Sequence, residues 1–238
     1  MKLLVMDTSN WPLGVAVIDQ GVVLGEINSY ISKNHSLRLM PAIEQLLQEL
    51  QIKPGELQGI GVAQGPGSYT GVRIGVTTAK TLAWTLQIPL AGVSSLQVIA
   101  QNRPDESGLI IPLVDARRGQ VYRGIYRWDE ERELALPQQA DRLQLITDLI
   151  EEYRGSEEPL LFIGEGVSHH REVLEQGLGD HIRFAREIEH RPRAAQLAQL
   201  VWKEWHTRQE TDIHSFVPEY LQLAEAEANW LARQGGSC

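Results

Sequence analysis

The feature that most constrains this 238-residue chain is the stretch Gly65-Pro66-Gly67-Ser68-Tyr69-Thr70-Gly71-Val72-Arg73-Ile74-Gly75. It follows the apolar run Ile60-Gly61-Val62-Ala63 and precedes a segment of helical period. A strand must therefore break at a glycine turn, and a helix must open at once. Glycine permits positive φ and close backbone approach there, and Pro66 stiffens the turn. Ser68 or Thr70 is placed to cap the helix. Backbone N–H groups converging on a helix start suit a phosphate. No Gly-Lys-Ser/Thr closes the loop, so it is not a Walker turn, and a tight joint that binds nothing satisfies the same spacing.

Around this motif the chain reads as mixed strands and helices. Residues 3 to 7 form a strand ending at Asp7, and Leu13 to Ile18 and Val22 to Tyr30 continue as an antiparallel meander. Leu39, Met40, Ile43, Leu46, Leu47 and Leu50 mark one face of a helix whose first turn is clouded by Pro41. The strand at 57 to 63, a helix over about 71 to 86, a short strand at 89 to 93 and a helix from Ser94 follow. The pattern then restarts: Leu109 to Asp115 is a strand ending in an acid, Ala116-Arg117-Arg118-Gly119 turns, and Gln120 to Trp128 returns. Helical periods are predicted near 141 to 154, 168 to 177 and 192 to 206, with strands at 160 to 163 and 182 to 184. Two halves thus each open with strand, Asp, turn, strand, and the stretch 104 to 108 is the joint. The division expected is 1–103, 104–212 and a C-terminal segment, 213–238, that packs back on the body, with a closing helix over Glu225 to Gln234. The fold class is α/β.

Composition narrows the function. Hydrophobic residues make up 42%, enough for a large core, and the only cysteine is Cys238, which fits a reducing compartment and leaves no disulfide framework. The apolar start is interrupted at Asp7, too early for a signal peptide or a membrane span. A soluble, cytoplasmic protein with no membrane role is expected. A net charge of −9 repels nucleic acid at long range. The best local basic candidate is Arg117, Arg118, Arg123 and Arg127, with a solvated strand face as the bland alternative.

Asp7, Thr8 and Ser9 set a carboxylate and two hydroxyls at the mouth of the first strand. Asp7, Thr8, Gly65 and Gly67 are accordingly the candidates for binding a nucleotide, although an Asp at such a turn equally serves its own backbone. No metal site is expected: His35, His169, His170, His181, His190, His206 and His214 include no i, i+4 pair and no His-Glu-x-x-His. No Gly-x-Ser-x-Gly elbow supports a serine hydrolase. The helix at 71 to 86 carries a different message. Val72, Val76, Ala79, Ala83 and Leu86 form an apolar stripe, and Ile74, Thr77, Thr78, Thr81, Trp84 and Thr85 lie opposite, with no acid anywhere. A helix of this kind looks built to be covered on both sides, by its own chain or by a partner, and a Thr face that simply tolerates water fits the same pattern.

These motifs together resemble the TsaB family, also called YeaZ, over essentially the whole chain. The resemblance rests on Leu4-Val5-Met6-Asp7-Thr8-Ser9, on His35-Ser36 with Leu39-Met40-Pro41, and on the long glycine motif. Asp115-Ala116-Arg117-Arg118-Gly119-Gln120-Val121-Tyr122 and Pro218-Glu219-Tyr220-Leu221 complete it. Gln222 departs from the pattern, which often has Arg there. The resemblance implies a duplicated actin-like/Hsp70-like (ASKHA) fold and a part in forming N6-threonylcarbamoyladenosine beside the tRNA anticodon. It implies a scaffold subunit with no catalytic residues and no activity alone, docking on the metal-bearing paralogue TsaD. A TsaE-type ATPase joins them, ATP and Mg²⁺ are used by the complex, and tRNA is met only through it. The implied interface on the N-terminal-half helices falls on Ile74, Thr77, Thr78, Thr81 and Trp84, with Leu39, Met40, Ile43 and Leu47 beside them. The same surface would make a homodimer when the partner is absent. The competing readings are a stand-alone nucleotide-binding actin-like ATPase and a peptidase.

Overall fold

In the computed structural model, residues 1–31, 34–179, 182–205 and 212–222 are described. The first half builds a five-stranded sheet from β1 (Lys2–Asp7), β2 (Leu13–Asp19), β3 (Val22–Ser29), β4 (Gly59–Ala63) and β5 (Leu90–Val93), in the order β3-β2-β1-β4-β5. β1 pairs antiparallel with β2 and parallel with β4, and β5 continues parallel. The second half repeats this wiring. β6 (Leu109–Asp115), β7 (Gln120–Asp129), β8 (Leu134–Leu145), β9 (Leu160–Ile163) and β10 (Ile182–Phe184) lie in the order β8-β7-β6-β9-β10. Here too the first strand pairs antiparallel with the next and parallel with the one beyond the first helix. The repeat read from two strand-Asp-turn openings is thus a duplication of a whole sheet.

The central strands are apolar throughout because both faces are covered. On β1, Leu4 and Met6 face α1 (His35–Glu49) and α2 (Tyr69–Leu86), whereas Leu3 and Val5 face α6 (Ala194–Glu204). On β6, Leu109, Ile111 and Leu113 face α4 (Ile146–Tyr153) and α5 (Gly166–Leu178). Ile110 and Val114 face α3 (Ser95–Ala100). The layers therefore run α1/α2, sheet, α6 and α3, sheet, α4/α5. Helix α6 belongs to the second half in sequence, but it packs on the first sheet, so a cut at 103/104 does not separate the lobes in space. Residues 212–222 also return to the first lobe, where Phe216 joins its core. The closing helix expected over 225 to 234 lies outside the described residues, as do His181 and His206.

Two local expectations are corrected. Residues 141 to 145 are not helical: β8 extends to Leu145, and α4 occupies only Ile146–Tyr153. β8 is an edge strand that is half-buried or exposed from Leu136 onward, so its pairing to β7, not its hydrophobic period, defines it. Pro41 sits inside α1, not in its first turn, because that helix begins six residues earlier at His35.

Candidate functional site

The glycine turn sits at the carboxyl ends of β1 and β4. Ser68 caps α2, accepting from the Gly71 N–H (3.3 Å), and the Ser68 N–H donates to the Ser9 carbonyl (2.7 Å). The glycines are explained by that approach. A Cβ on Gly67 would overlap the Ser9 carbonyl oxygen, one on Gly71 the Thr8 carbonyl oxygen, and one on Gly75 would come within 2.7 Å of Thr8 Oγ1. Gly65 has φ 110° and lies against the carbonyl oxygen of Glu219. The β1–β2 turn thus packs its carbonyl oxygens directly against the glycine turn, and such oxygens repel an anion.

Asp7 is buried at the end of β1, and its Oδ1 accepts from the Ser9 N–H (2.8 Å) and the Ser9 hydroxyl (2.7 Å). Its Oδ2 has no hydrogen-bond partner. Burial holds this carboxyl above the usual Asp range, while the Ser9 bonds and the nearby His35 oppose the shift. His35 Nε2–H donates to the Asn10 carbonyl (3.1 Å), which leaves Nδ1 buried and unpartnered. The four nucleotide candidates therefore do come together in space, in a turn whose glycines are taken up by close backbone approach and whose Asp7 keeps one buried oxygen unpartnered. The nucleotide that an actin-like fold implies does not fit these residues: the glycines cradle backbone, and Asp7 spends one oxygen on Ser9.

The second lobe carries a matching turn that the sequence reading missed. Gly164 (φ 101°), Glu165 and Gly166 follow β9 as Gly65 to Gly67 follow β4. Gly164 and Gly166 press on the Leu113 backbone at the end of β6. Glu165 Oε1 accepts from the Asp115 N–H (3.1 Å), and His170 Nε2 lies 3.4 Å from Asp115 Oδ1. A Gly-x-Gly after the apolar run 160 to 163 was the available signal. Among the described residues no group of three or more His, Cys, Asp or Glu is placed to share a metal ion. The four arginines suggested as a basic patch do not form one. Arg123 is fully buried between Gln144 (2.9 Å) and Gln139 (2.9 Å), and Arg127 is ion-paired with Glu158. Arg117 and Arg118 are exposed on the β6–β7 turn with φ of 66° and 53°.

The remaining candidates divide by burial. Leu39, Ile43 and Leu47 are 1%, 3% and 6% exposed and belong to the first core, so they present no surface; the spacing marked the inward face of α1. On the outer side Leu37 and Met40 stand exposed instead. On α2, Thr77, Thr81 and Trp84 are exposed, and Ile74 and Thr78 are half-buried. Arg73 is the only charged residue among the exposed positions of α2, and its guanidinium lies over the Tyr69 ring (5.6 Å). Lys80 donates to the carbonyls of His214 (3.1 Å) and Phe216 (2.6 Å). In the duplicated lobe, the helices in the same layer are ordinary. α4 exposes Asp148, Glu151 and Glu152, with Arg154 just after it, and α5 exposes Arg171, Glu172 and Glu175.

These features define a two-lobed protein of the actin-like class, with a tightly packed strand-end turn and one helical face poor in charge. A family profile described as "TsaD: tRNA N6-adenosine threonylcarbamoyltransferase" matches residues 24–230. The chain is 45% identical over 235 residues to the tRNA threonylcarbamoyladenosine biosynthesis protein TsaB of Bacillus subtilis, covering 98% of this chain and 100% of that one. The chain belongs to the TsaB family. Its fold superposes on YeaZ from Pseudomonas aeruginosa with a TM-score of 0.79 at 25% identity, covering 92% and 99% of the two chains. A ROK hexokinase from Thermus thermophilus shares the wider fold, with a TM-score of 0.50 at 12% identity over 87% of this chain and 100% of that one. No helix among the described residues is long and apolar enough to cross a membrane.

Proposed function

We propose that this chain is a non-catalytic scaffold subunit of the machinery that forms N6-threonylcarbamoyladenosine next to the tRNA anticodon, docking on and supporting a TsaD-type transferase. The observation that carries this reading is the contrast within the duplication. Two equivalent helical layers cover equivalent sheets; α4 and α5 both show charged outer faces, whereas α2 shows Thr77, Thr81, Trp84 and Thr85 with Arg73 as its one exposed charge, beside an α1 that exposes Glu44 and Glu49. A helix face so poor in charge, on only one of the matched helical layers, supports a contact site there. Ile74, Thr77, Thr78, Thr81 and Trp84 form the docking surface, with Met40 of α1 beside them. Kinship with TsaB supports the pathway, and the tightly packed glycine turn supports a subunit without its own nucleotide chemistry. A TsaE-type ATPase joins the pair, tRNA is reached only through the complex, and the isolated chain closes the same face as a two-fold homodimer.

Size-exclusion chromatography with light scattering tests this, on the chain alone and mixed with its cognate TsaD-type partner. A heterodimer that replaces a homodimer, and is lost in Thr81→Glu, is expected, because a charge buried at the contact lacks a counter-ion. A chain indifferent to the partner would overturn the proposal.

A further inference from the structure

In open α/β sheets, ligands lie outside the carboxyl ends of the parallel strands, where the strand order reverses. In the first sheet that point lies between β1 and β4, and in the second between β6 and β9. Neither end is bare, because residues 212–222 run across both lobes there. Phe216 anchors the run: its ring is buried in the first core against Gly92, and its carbonyl accepts from Lys80. The Glu219 N–H donates to the Gln64 carbonyl (2.8 Å), directly after β4, and the Gln64 amide returns a bond to Glu219 Oε2 (3.2 Å). Tyr220 stacks on Tyr69, with ring centroids 4.9 Å apart. Gln222 then reaches the second lobe, where its Oε1 accepts from the Tyr122 hydroxyl (3.1 Å). Tyr122 pairs with Val114, one residue before the end of β6.

We infer that residues 216–222 are a built-in occupant of this crevice, a clamp that joins the two lobes where an actin-like protein would hold a nucleotide. The chemistry excludes a competing anion. The clamp brings the Glu219 carbonyl against Gly65 and the Glu219 carboxylate beside Gln64. A phosphate entering here would meet carbonyl oxygens and carboxylates at close range, which is repulsive. The Glu219 charge is felt across the lobes. Burial is the first cause that raises the Asp141 carboxyl and the Tyr126 phenol above their usual ranges, and Glu219 adds to both. Gln222 gains its role here. Its amide oxygen accepts a phenol proton, a bond that arginine, which has no acceptor, could not make.

The test uses the full chain. Hydrogen exchange would be followed by mass spectrometry in wild type and in the double variant Tyr122→Phe/Tyr220→Ala, which releases the clamp from both lobes. The expected result is at least about tenfold faster exchange in both 64–72 and 115–123, with α4 unchanged, as local opening at those segments becomes easier. Gln222→Ala, a milder change, should reproduce the effect at 115–123 alone. Calorimetric titration of Mg·ATP into the wild type should give no binding heat. Unchanged exchange at 115–123 in both variants, or saturable Mg·ATP binding by the wild type, would overturn the clamp.

Discussion

Thr8 and Gly71 hold each other reciprocally. The Thr8 hydroxyl donates to the Gly71 carbonyl (2.7 Å), and the Thr8 carbonyl oxygen occupies the place where a Cβ on Gly71 would stand. The contact locks the β1–β2 turn onto the start of α2 with no room for a methyl group. Gly71→Ala should therefore destabilise the fold by about 1–3 kcal/mol through overpacking against backbone. Gly55 offers the control, since nothing lies within 4 Å of its Cβ position. Gly55→Ala should stay within about 0.5 kcal/mol of wild type. Urea unfolding of the two variants decides; equal midpoints would show that the turn yields at no cost.

The lobes are also tied through Ser94. Its hydroxyl accepts from the N–H groups of Leu96 (3.1 Å) and Gln97 (3.4 Å), capping α3, and donates to Asp141 on β8. Tyr126 donates to the other Asp141 oxygen (2.7 Å). Ser94→Ala removes the cap and leaves a partly buried carboxylate short of a donor. A loss of about 1–3 kcal/mol is expected from the two effects together. Ser94→Thr keeps the hydroxyl and should recover most of it, as thermal unfolding would report.

Much of this architecture was legible because hydrophobic period and glycine punctuation are local signals. β1 to β3, the glycine turn, α2 and the restart at Leu109 follow from them. β8 was not legible, because its largely half-buried and exposed residues carry no clear period and its place is specified by a neighbour strand. Spacing also located the apolar face of α1 without saying what covers it, so Leu39, Ile43 and Leu47 read as surface although they are core. The glycines of the turn read as a phosphate cradle, since sequence cannot distinguish a ligand's approach from that of the chain's own carbonyls. The clamp joins residues 155 positions apart, Gln64 and Glu219, and no periodicity encodes such a contact.

Trp84 is the large aromatic on the proposed docking face, 57% exposed in the isolated chain. Aromatics of this kind dominate contact energies when a partner buries them, with truncation costing about 2 kcal/mol or more. Trp84→Ala should therefore weaken binding to the TsaD-type partner by roughly 30-fold or more while leaving the melting temperature nearly unchanged. Arg171→Ala, on the charged outer face of α5, should leave the affinity alone. Surface plasmon resonance with both variants separates the faces. Equal affinities would remove Trp84 from the interface.

Asp7 gives the fold a pH dependence of definite sign. Burial raises its carboxyl above the ordinary value, and one oxygen has no partner to stabilise the ionised form. The native state therefore keeps this proton above the unfolded pKa of about 3.9. The stability contributed by the group is fully present below that value and is lost as pH rises through the raised native pKa. Asp7→Asn keeps an acceptor for Ser9 and removes the buried charge. The variant should melt higher than wild type at pH 8, and the gap should narrow as pH falls toward 4. Calorimetric scans across that range measure it. A gap independent of pH would mean that Asp7 does not titrate there, and that the unpartnered oxygen is balanced by contacts other than a proton.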